Sequence, residues 1–197
     1  MKIKIGFFAV ILFLSFFIFH LKFSFIVLLA IILHELGHIF MAKILKINFT
    51  ECKIGIRGAR LYAENMNMSY KNEILLAIGG PLANFLFSAI AYLVYQNVLY
   101  EEILYFIAVS LSLGVLNLLP AKDFDGERII RSLLSLIFDA YLSDRISAIL
   151  SFMTTFFMWC ISVYFLMRSA SNLSLFIFSV SLFFESVRDE IKKREDF

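Results

Sequence analysis

The chain has 197 residues, of which 61% are hydrophobic and only 17% are charged. Soluble domains are about 45 to 50% apolar, so this composition excludes an ordinary soluble protein and indicates a membrane protein. The formal net charge is only +2 and the basic residues form no dense block, which argues against nucleic acid as a partner.

Long apolar segments dominate the chain and predict its spans. A helix needs about 20 apolar residues to cross a hydrocarbon layer ~30 Å thick. On this criterion the sequence predicts about six membrane-spanning helices. In chain order they cover approximately residues 5–19, 23–45, 73–95, 103–119, 146–167 and 173–187.

Two further elements interrupt these spans. Residues 46–71 are more polar, and the partial alternation from Cys52 to Tyr62 predicts one or two short strands. An amphipathic helix is predicted over about 129–141, either at the membrane interface or dipping into the bundle. The predicted fold class is therefore an all-α polytopic membrane protein with a small membrane-associated β element between the second and third spans. We expect one integral-membrane domain over residues 1–197, with its motifs within about 23–131.

The distribution of Lys and Arg predicts the orientation of these spans. If both termini are cytoplasmic, all but two of the 18 basic residues fall on the cytoplasmic side, and the exceptions are Lys22 and Arg168. Such an excess is typical of cytoplasmic loops. We therefore expect a multi-pass protein with both termini in the cytoplasm.

The sequence HELGH at positions 34–38 lies inside the second predicted span. On a helix, His34 and His38 face the same way and can bind one zinc ion, while Glu35 can act on its bound water. Zinc lowers the pKa of bound water toward ~7, which suits hydrolysis of a peptide bond. A buried histidine is more often structural, but ionisable groups at mid-membrane are costly and tend to mark functional sites. Gly37 would allow a neighbouring helix to approach closely.

Catalytic zinc usually has three protein ligands, so one more is needed. His20 is the remaining histidine, and it would lie about 21 Å from His34 even along a continuous helix. A carboxylate is therefore expected. Pro120 should end the fourth span, and Gly126 would permit a tight turn that brings an acidic side chain back toward the second span. Spacing does not choose between the nearest candidates; the acidic residues considered are Asp123, Asp125, Glu127, Glu64 and Glu73.

Three motifs together resemble those of the site-2 proteases, a family of intramembrane zinc metalloproteases also classified as peptidase M50. HELGH matches the family's HExxH, GGPLAN at 79–84 matches its GPxxN-type element, and NLLPAKDFDGERI at 117–129 matches its NxxPxxxxDG element. They occur in the family's order on three successive predicted spans. The resemblance implies a zinc metalloendopeptidase that cleaves a membrane-associated protein within or near the bilayer.

The resemblance also implies roles for individual residues. Asp125, which immediately precedes glycine, becomes the third zinc ligand, and Asp123 is left as an extra acid. Asn117 and Asn84 are expected to bind substrate or stabilise the oxyanion, for which an amide donor is suited. For Asn84, a helix-packing amide is an equal alternative.

The chain most resembles the sporulation branch of the family, typified by stage IV sporulation protein FB, which processes a membrane-associated sigma-factor precursor. This likeness implies regulated intramembrane proteolysis in a bacterial inner or cell membrane. The expected partners are the protein substrate, the lipid bilayer and inhibitory membrane proteins. Members of that branch commonly carry a nucleotide-sensing CBS domain, which we do not expect here because the chain ends shortly after its last predicted span.

Two other classes of function remain to be weighed. A zinc transporter can also place His and Glu at helical spacing within a span. However, the third to sixth predicted spans contain no histidine to continue a transport path. A catalytically inactive membrane scaffold is the third alternative. Glu35→Gln distinguishes the protease from the transporter and the scaffold, because only a protease requires this carboxylate for its activity.

Overall fold

The computed structural model of the chain describes residues 2–5, 21–47, 49–55, 58–63, 68–168 and 176–184. Its contacts divide into two compact units, Met1–Leu118 and Leu119–Phe197. The first unit carries HELGH and GGPLAN, and the second carries the DFDG sequence at 123–126. The prediction of one functional domain over the whole chain stays a prediction.

The first unit combines helices with a small sheet. Its elements are β1 (Lys2–Ile5), α1 (Leu21–Ile44), β2 (Phe49–Gly55), β3 (Gly58–Ala63), α2 (Tyr70–Val98) and α3 (Glu101–Asn117). The strand order is β1-β2-β3, with β1 parallel to β2 and β2 antiparallel to β3. Strands β2 and β3 lie in the polar segment for which the sequence predicts strands. Strand β1 was not predicted, because its partner lies far along the chain.

The second unit contains three described helices: α4 (Asp125–Ser135), α5 (Ala140–Arg168) and α6, residues 176–184. Ala121, Phe124 and Leu182 form its buried apolar core. The Ser162 and Ser179 hydroxyls, 2.6 Å apart, link α5 to α6.

The predicted amphipathic helix over 129–141 has different bounds in the structure. Helix α4 begins earlier, at Asp125, and ends at Ser135, before a turn. The carboxylate of Asp139 accepts a hydrogen bond from the backbone N–H of Leu142, at 3.3 Å. This cap satisfies a donor at the start of α5, so a new helix begins where the sequence predicts that the first continues.

Three described helices are long and apolar enough to cross a membrane: Phe23–Ile44, Tyr70–Val98 and Ala140–Arg168. They confirm three predicted spans but do not support a count of about six. Helix α3 has 17 residues, and at ~1.5 Å per residue it covers only about 25 Å. The first predicted span falls mostly on residues 6–20, outside the described part, and of the last span only residues 176–184 are described.

The helices place bulky apolar side chains on the outside and small residues inside. Phe40 and Phe157 are 65% and 68% exposed, whereas Ser88, Ser110 and Thr155 are buried. A soluble helix does the opposite, because water drives its large apolar side chains inward. Packing through small residues is typical of helices in lipid, so this pattern supports a membrane protein.

Helices α1 and α2 approach each other closely at two glycines. A Cβ atom added at Gly79 would lie 2.8 Å from the Gly37 carbonyl oxygen, and one added at Gly37 would lie 2.7 Å from the Ala83 Cβ. No larger residue fits at either position without moving a backbone. The prediction that Gly37 allows close helix approach is therefore confirmed, and this contact brings α2 against the HELGH turn.

Candidate metal centre

Helix α1 directs both histidines of HELGH toward one point. His34 and His38 are 5% and 7% exposed, and their Nε2 atoms lie 3.3 Å apart. Two nitrogens bound to one tetrahedral zinc at about 2.0–2.1 Å would be about 3.3–3.4 Å from each other. The two imidazoles therefore already have the separation that a shared zinc ion requires.

The orientation of His38 is set by the backbone of α2. Its Nδ1 lies 2.8 Å from the carbonyl oxygen of Leu76. A carbonyl can only accept, so Nδ1 of the neutral ring carries the proton and Nε2 keeps its lone pair. Metal-bound histidines in proteins are commonly oriented in this way by a second hydrogen bond.

The GGP sequence of α2 makes room for the two rings. A Cβ at Gly80 would lie 2.6 Å from His34 Nε2 and would also collide with His38 Nε2. Pro81 follows within the helix and leaves the Ala77 carbonyl without its usual N–H donor four residues on. The sequence analysis did not assign Gly80 a role, although two adjacent glycines within an apolar helix were a usable signal.

Asn84 of α2 lies next to His34. Its side chain is fully buried, and its carboxamide nitrogen lies within hydrogen-bonding distance of His34 Nδ1, at 3.2 Å. The backbone carbonyl of Asn84 accepts hydrogen bonds from Ser88 at 2.7 Å and from Ser110 of α3 at 3.3 Å. Asn84 thus lies beside a candidate ligand, and its backbone links α2 to α3.

The other residues predicted for the site in the first unit lie on α1 and α3. Glu35 is half-buried and follows His34 on α1, about 100° further round the helix. Asn117 is the last residue of α3, and its side-chain Nδ2 donates to the Leu113 carbonyl at 3.0 Å. The predicted role of Asn117 with substrate stays a prediction.

Asp125 lies in the second unit, at the first position of α4. It is 7% exposed and, with Glu127, belongs to the first turn, where the helix dipole favours negative charge. The tight turn predicted at Gly126 is wrong, since Gly126 is helical and the chain instead turns at Asp123, which has φ of 71°. Aspartate is among the few residues that adopt this conformation readily, which gives Asp123 a structural role.

Of the remaining acidic candidates and the third histidine, the structure describes only Glu73. Glu73 occupies the first turn of α2, well before Gly80 in the chain. His20 and Glu64 lie outside the described residues.

Comparisons with known proteins find related sequences and a related fold. The profile of peptidase family M50 matches residues 96–161, a segment that includes Asn117 and Asp125 but not HELGH. A curated zinc metalloprotease of Methanocaldococcus jannaschii is 32% identical over 124 residues, which cover 60% of this chain and 36% of that protein. The chain thus spans about a third of the length of the curated relative it matches.

A solved structure of a site-2 protease from Methanocaldococcus jannaschii superposes with a TM-score of 0.71. The match covers 94% of this chain and 89% of that one, at 24% identity, and it shows a common fold. The sequence similarities are therefore to peptidase family M50 and to a zinc metalloprotease, and the structural similarity is one of fold. The HELGH and GGPLAN motifs by which the sequence resembles site-2 proteases are brought together on facing turns of α1 and α2.

Proposed function

We propose that this chain is an intramembrane zinc metalloprotease that hydrolyses a peptide bond of a membrane-associated protein. The observation that carries the proposal is the convergence of two buried imidazole Nε2 atoms, 3.3 Å apart, on a helix long enough to cross a membrane. Ionisable side chains within a membrane span tend to mark functional sites, and the separation of these two nitrogens fits a shared zinc ion. The family similarities support the same assignment.

His34, His38 and Asp125 are the proposed ligands. Bound zinc would supply an acidified water and would polarise the scissile carbonyl. Glu35 takes the proton from that water as its oxygen bonds to the carbonyl carbon. Glu35 then passes the proton to the amide nitrogen as the C–N bond breaks, which leaves a carboxylate and an amine.

Support for Asp125 comes from its own surroundings and from the motif it occupies. It is a buried carboxylate, and aspartate oxygen is an accepted zinc ligand. Buried charges in proteins are paired with other charges or coordinate metals, and a zinc ion is a partner that suits a buried carboxylate. Asp123, by contrast, is half-buried at a turn, and Glu127 is also half-buried.

Zinc binding by carboxamide variants tests this ligand set. Loss of a residue that only hydrogen-bonds to a metal ligand typically lowers metal affinity about 10- to 100-fold. We expect Asp125→Asn to lower zinc affinity by more than this, because it removes a charged ligand. The measurement is competition with a chelator on the full chain in detergent, with total zinc by mass spectrometry. Asp123→Asn and Glu127→Gln are matched controls that should bind zinc like the unaltered protein. Weak binding by Asp123→Asn with normal binding by Asp125→Asn would reject Asp125 as the ligand.

The proposed orientation has both termini in the cytoplasm, supported by the Lys and Arg distribution. Lys43 lies in the last turn of α1, Lys46 follows that helix, and Lys71 lies at the start of α2. In a variant with Cys52→Ser and Cys160→Ser, we expect Lys46→Cys to react with an impermeant maleimide only after cell lysis. Leu99→Cys, at the exposed opposite end of α2, should react in intact cells. The reverse pattern would refute the orientation.

The substrate class follows from the resemblance to the sporulation branch. We propose a membrane-associated sigma-factor precursor as the first substrate to test, in a bacterial cell membrane, by regulated intramembrane proteolysis. Inhibitory membrane-protein partners remain part of the same proposal.

A further inference from the structure

We infer that Asn84 is a positioning residue for zinc: its carboxamide oxygen accepts a hydrogen bond from Nδ1–H of His34 and so keeps His34 Nε2 free for the metal. This inference rests on the proposed metal site. It differs from a direct role of Asn84 in binding substrate or the oxyanion.

The two nitrogens of His34 have different surroundings. Nε2 faces His38 Nε2 at 3.3 Å, and Nδ1 faces the Asn84 carboxamide at 3.2 Å. If zinc binds Nε2, the proton of the neutral ring must be on Nδ1, and a buried N–H needs an acceptor. Asn84, with its side chain fully buried beside Nδ1, can provide that acceptor.

The orientation of the Asn84 carboxamide decides between two tautomers. With Nδ2 toward His34 Nδ1, the amide donates, the ring proton moves to Nε2, and that nitrogen can no longer bind metal. In this orientation Asn84 Oδ1 is also buried with no hydrogen-bond partner in the described part of the chain. The two ends of a carboxamide are nearly the same size, so a half-turn brings Oδ1 to Nδ1 without moving any other group.

His38 provides a comparison on the same helix. Its Nδ1 also meets an oxygen from α2, the backbone carbonyl of Leu76, at 2.8 Å. Helix α2 would therefore fix both imidazoles, one through its backbone and the other through Asn84. An asparagine supplies the second acceptor without adding a negative charge beside His34.

Zinc affinity of the full chain tests the inference without any substrate. We expect Asn84→Leu, which has similar size but no acceptor, to raise the zinc dissociation constant about 10- to 100-fold. Asn84→Asp retains an acceptor, so this variant should bind zinc with an affinity close to that of the unaltered protein. Asn97→Leu makes the same chemical change at an exposed position of α2 and should have no effect.

Nitrogen-15 NMR of histidine-labelled protein gives a second readout that needs no variant. In the zinc-loaded protein, His34 should show a protonated Nδ1 and a metal-bound Nε2. Unchanged zinc affinity in Asn84→Leu, or coordination of His34 through Nδ1, would overturn the inference while leaving the metal site intact. Failure of the unaltered protein to bind zinc would overturn both the inference and the proposed function.

Discussion

Replacing Glu35 by glutamine is expected to lower peptide hydrolysis by about 10²- to 10⁴-fold, the contribution typical of a positioned general base. Glutamine has nearly the same shape but cannot take a proton from water. The proposed ligands, His34, His38 and Asp125, are unchanged in this variant, so zinc content should be unchanged. Hydrolysis of fluorescently labelled casein in detergent, followed beside zinc analysis of the same samples, measures both quantities.

Glu102→Gln is the matched control, because Glu102 is exposed in the first turn of α3, away from HELGH in the sequence. It should retain full hydrolysis. Normal cleavage by Glu35→Gln would remove the general base from the proposed mechanism. Zinc bound without cleavage by the unaltered protein, on casein or on membrane peptides, would instead favour a scaffold.

Replacing Gly80 by alanine should abolish tight zinc binding although the change adds a single methyl group. The new Cβ would lie 2.6 Å from His34 Nε2 and 2.7 Å from its Cε1, closer than non-bonded atoms approach. The rings must move apart, and their 3.3 Å separation is lost. We expect a loss of zinc affinity of at least about 10- to 100-fold. Chelator competition measures it.

The sign of this effect makes the test specific. Alanine has a higher intrinsic helix propensity than glycine, by about 1 kcal/mol. At a site without the collision, the substitution would therefore leave the protein equally stable or more stable. Gly114→Ala is the control: its Cβ would meet the Phe85 ring at 2.9 Å rather than a histidine. That variant should change the thermal stability of the helix packing and leave zinc affinity intact. Equal zinc affinity in Gly80→Ala would show that the two rings do not meet at this glycine.

These features give α2 a function that its sequence only partly indicates. Gly79 allows the helix to contact α1, Gly80 leaves space for both rings, and the Leu76 carbonyl orients His38. Without Gly79 the two helices would be held further apart, and the contacts to the rings would lengthen. The GGPLAN sequence is therefore best explained as a surface shaped for the histidines.

The described fold could be predicted from the sequence where local pattern sets the outcome. The spans of α1, α2 and α5 follow from apolar length alone, because a helix in lipid must bond its backbone internally. The fourth predicted span does form a helix, α3, but its 17 residues are fewer than the about 20 that are needed to cross the hydrocarbon layer. The turn near DFDG was misplaced because both Asp123 and Gly126 can turn, and only the folded chain selects Asp123.

The sequence by itself determined the chemistry available to this protein, since HELGH within an apolar segment brings two imidazoles and a carboxylate to neighbouring positions of one helix. Tertiary structure decided how those imidazoles are held. The contacts of His38 with Leu76 and of His34 with Asn84 join residues far apart in the chain. They depend on the approach of two helices at Gly37 and Gly79, a distance that no local pattern specifies.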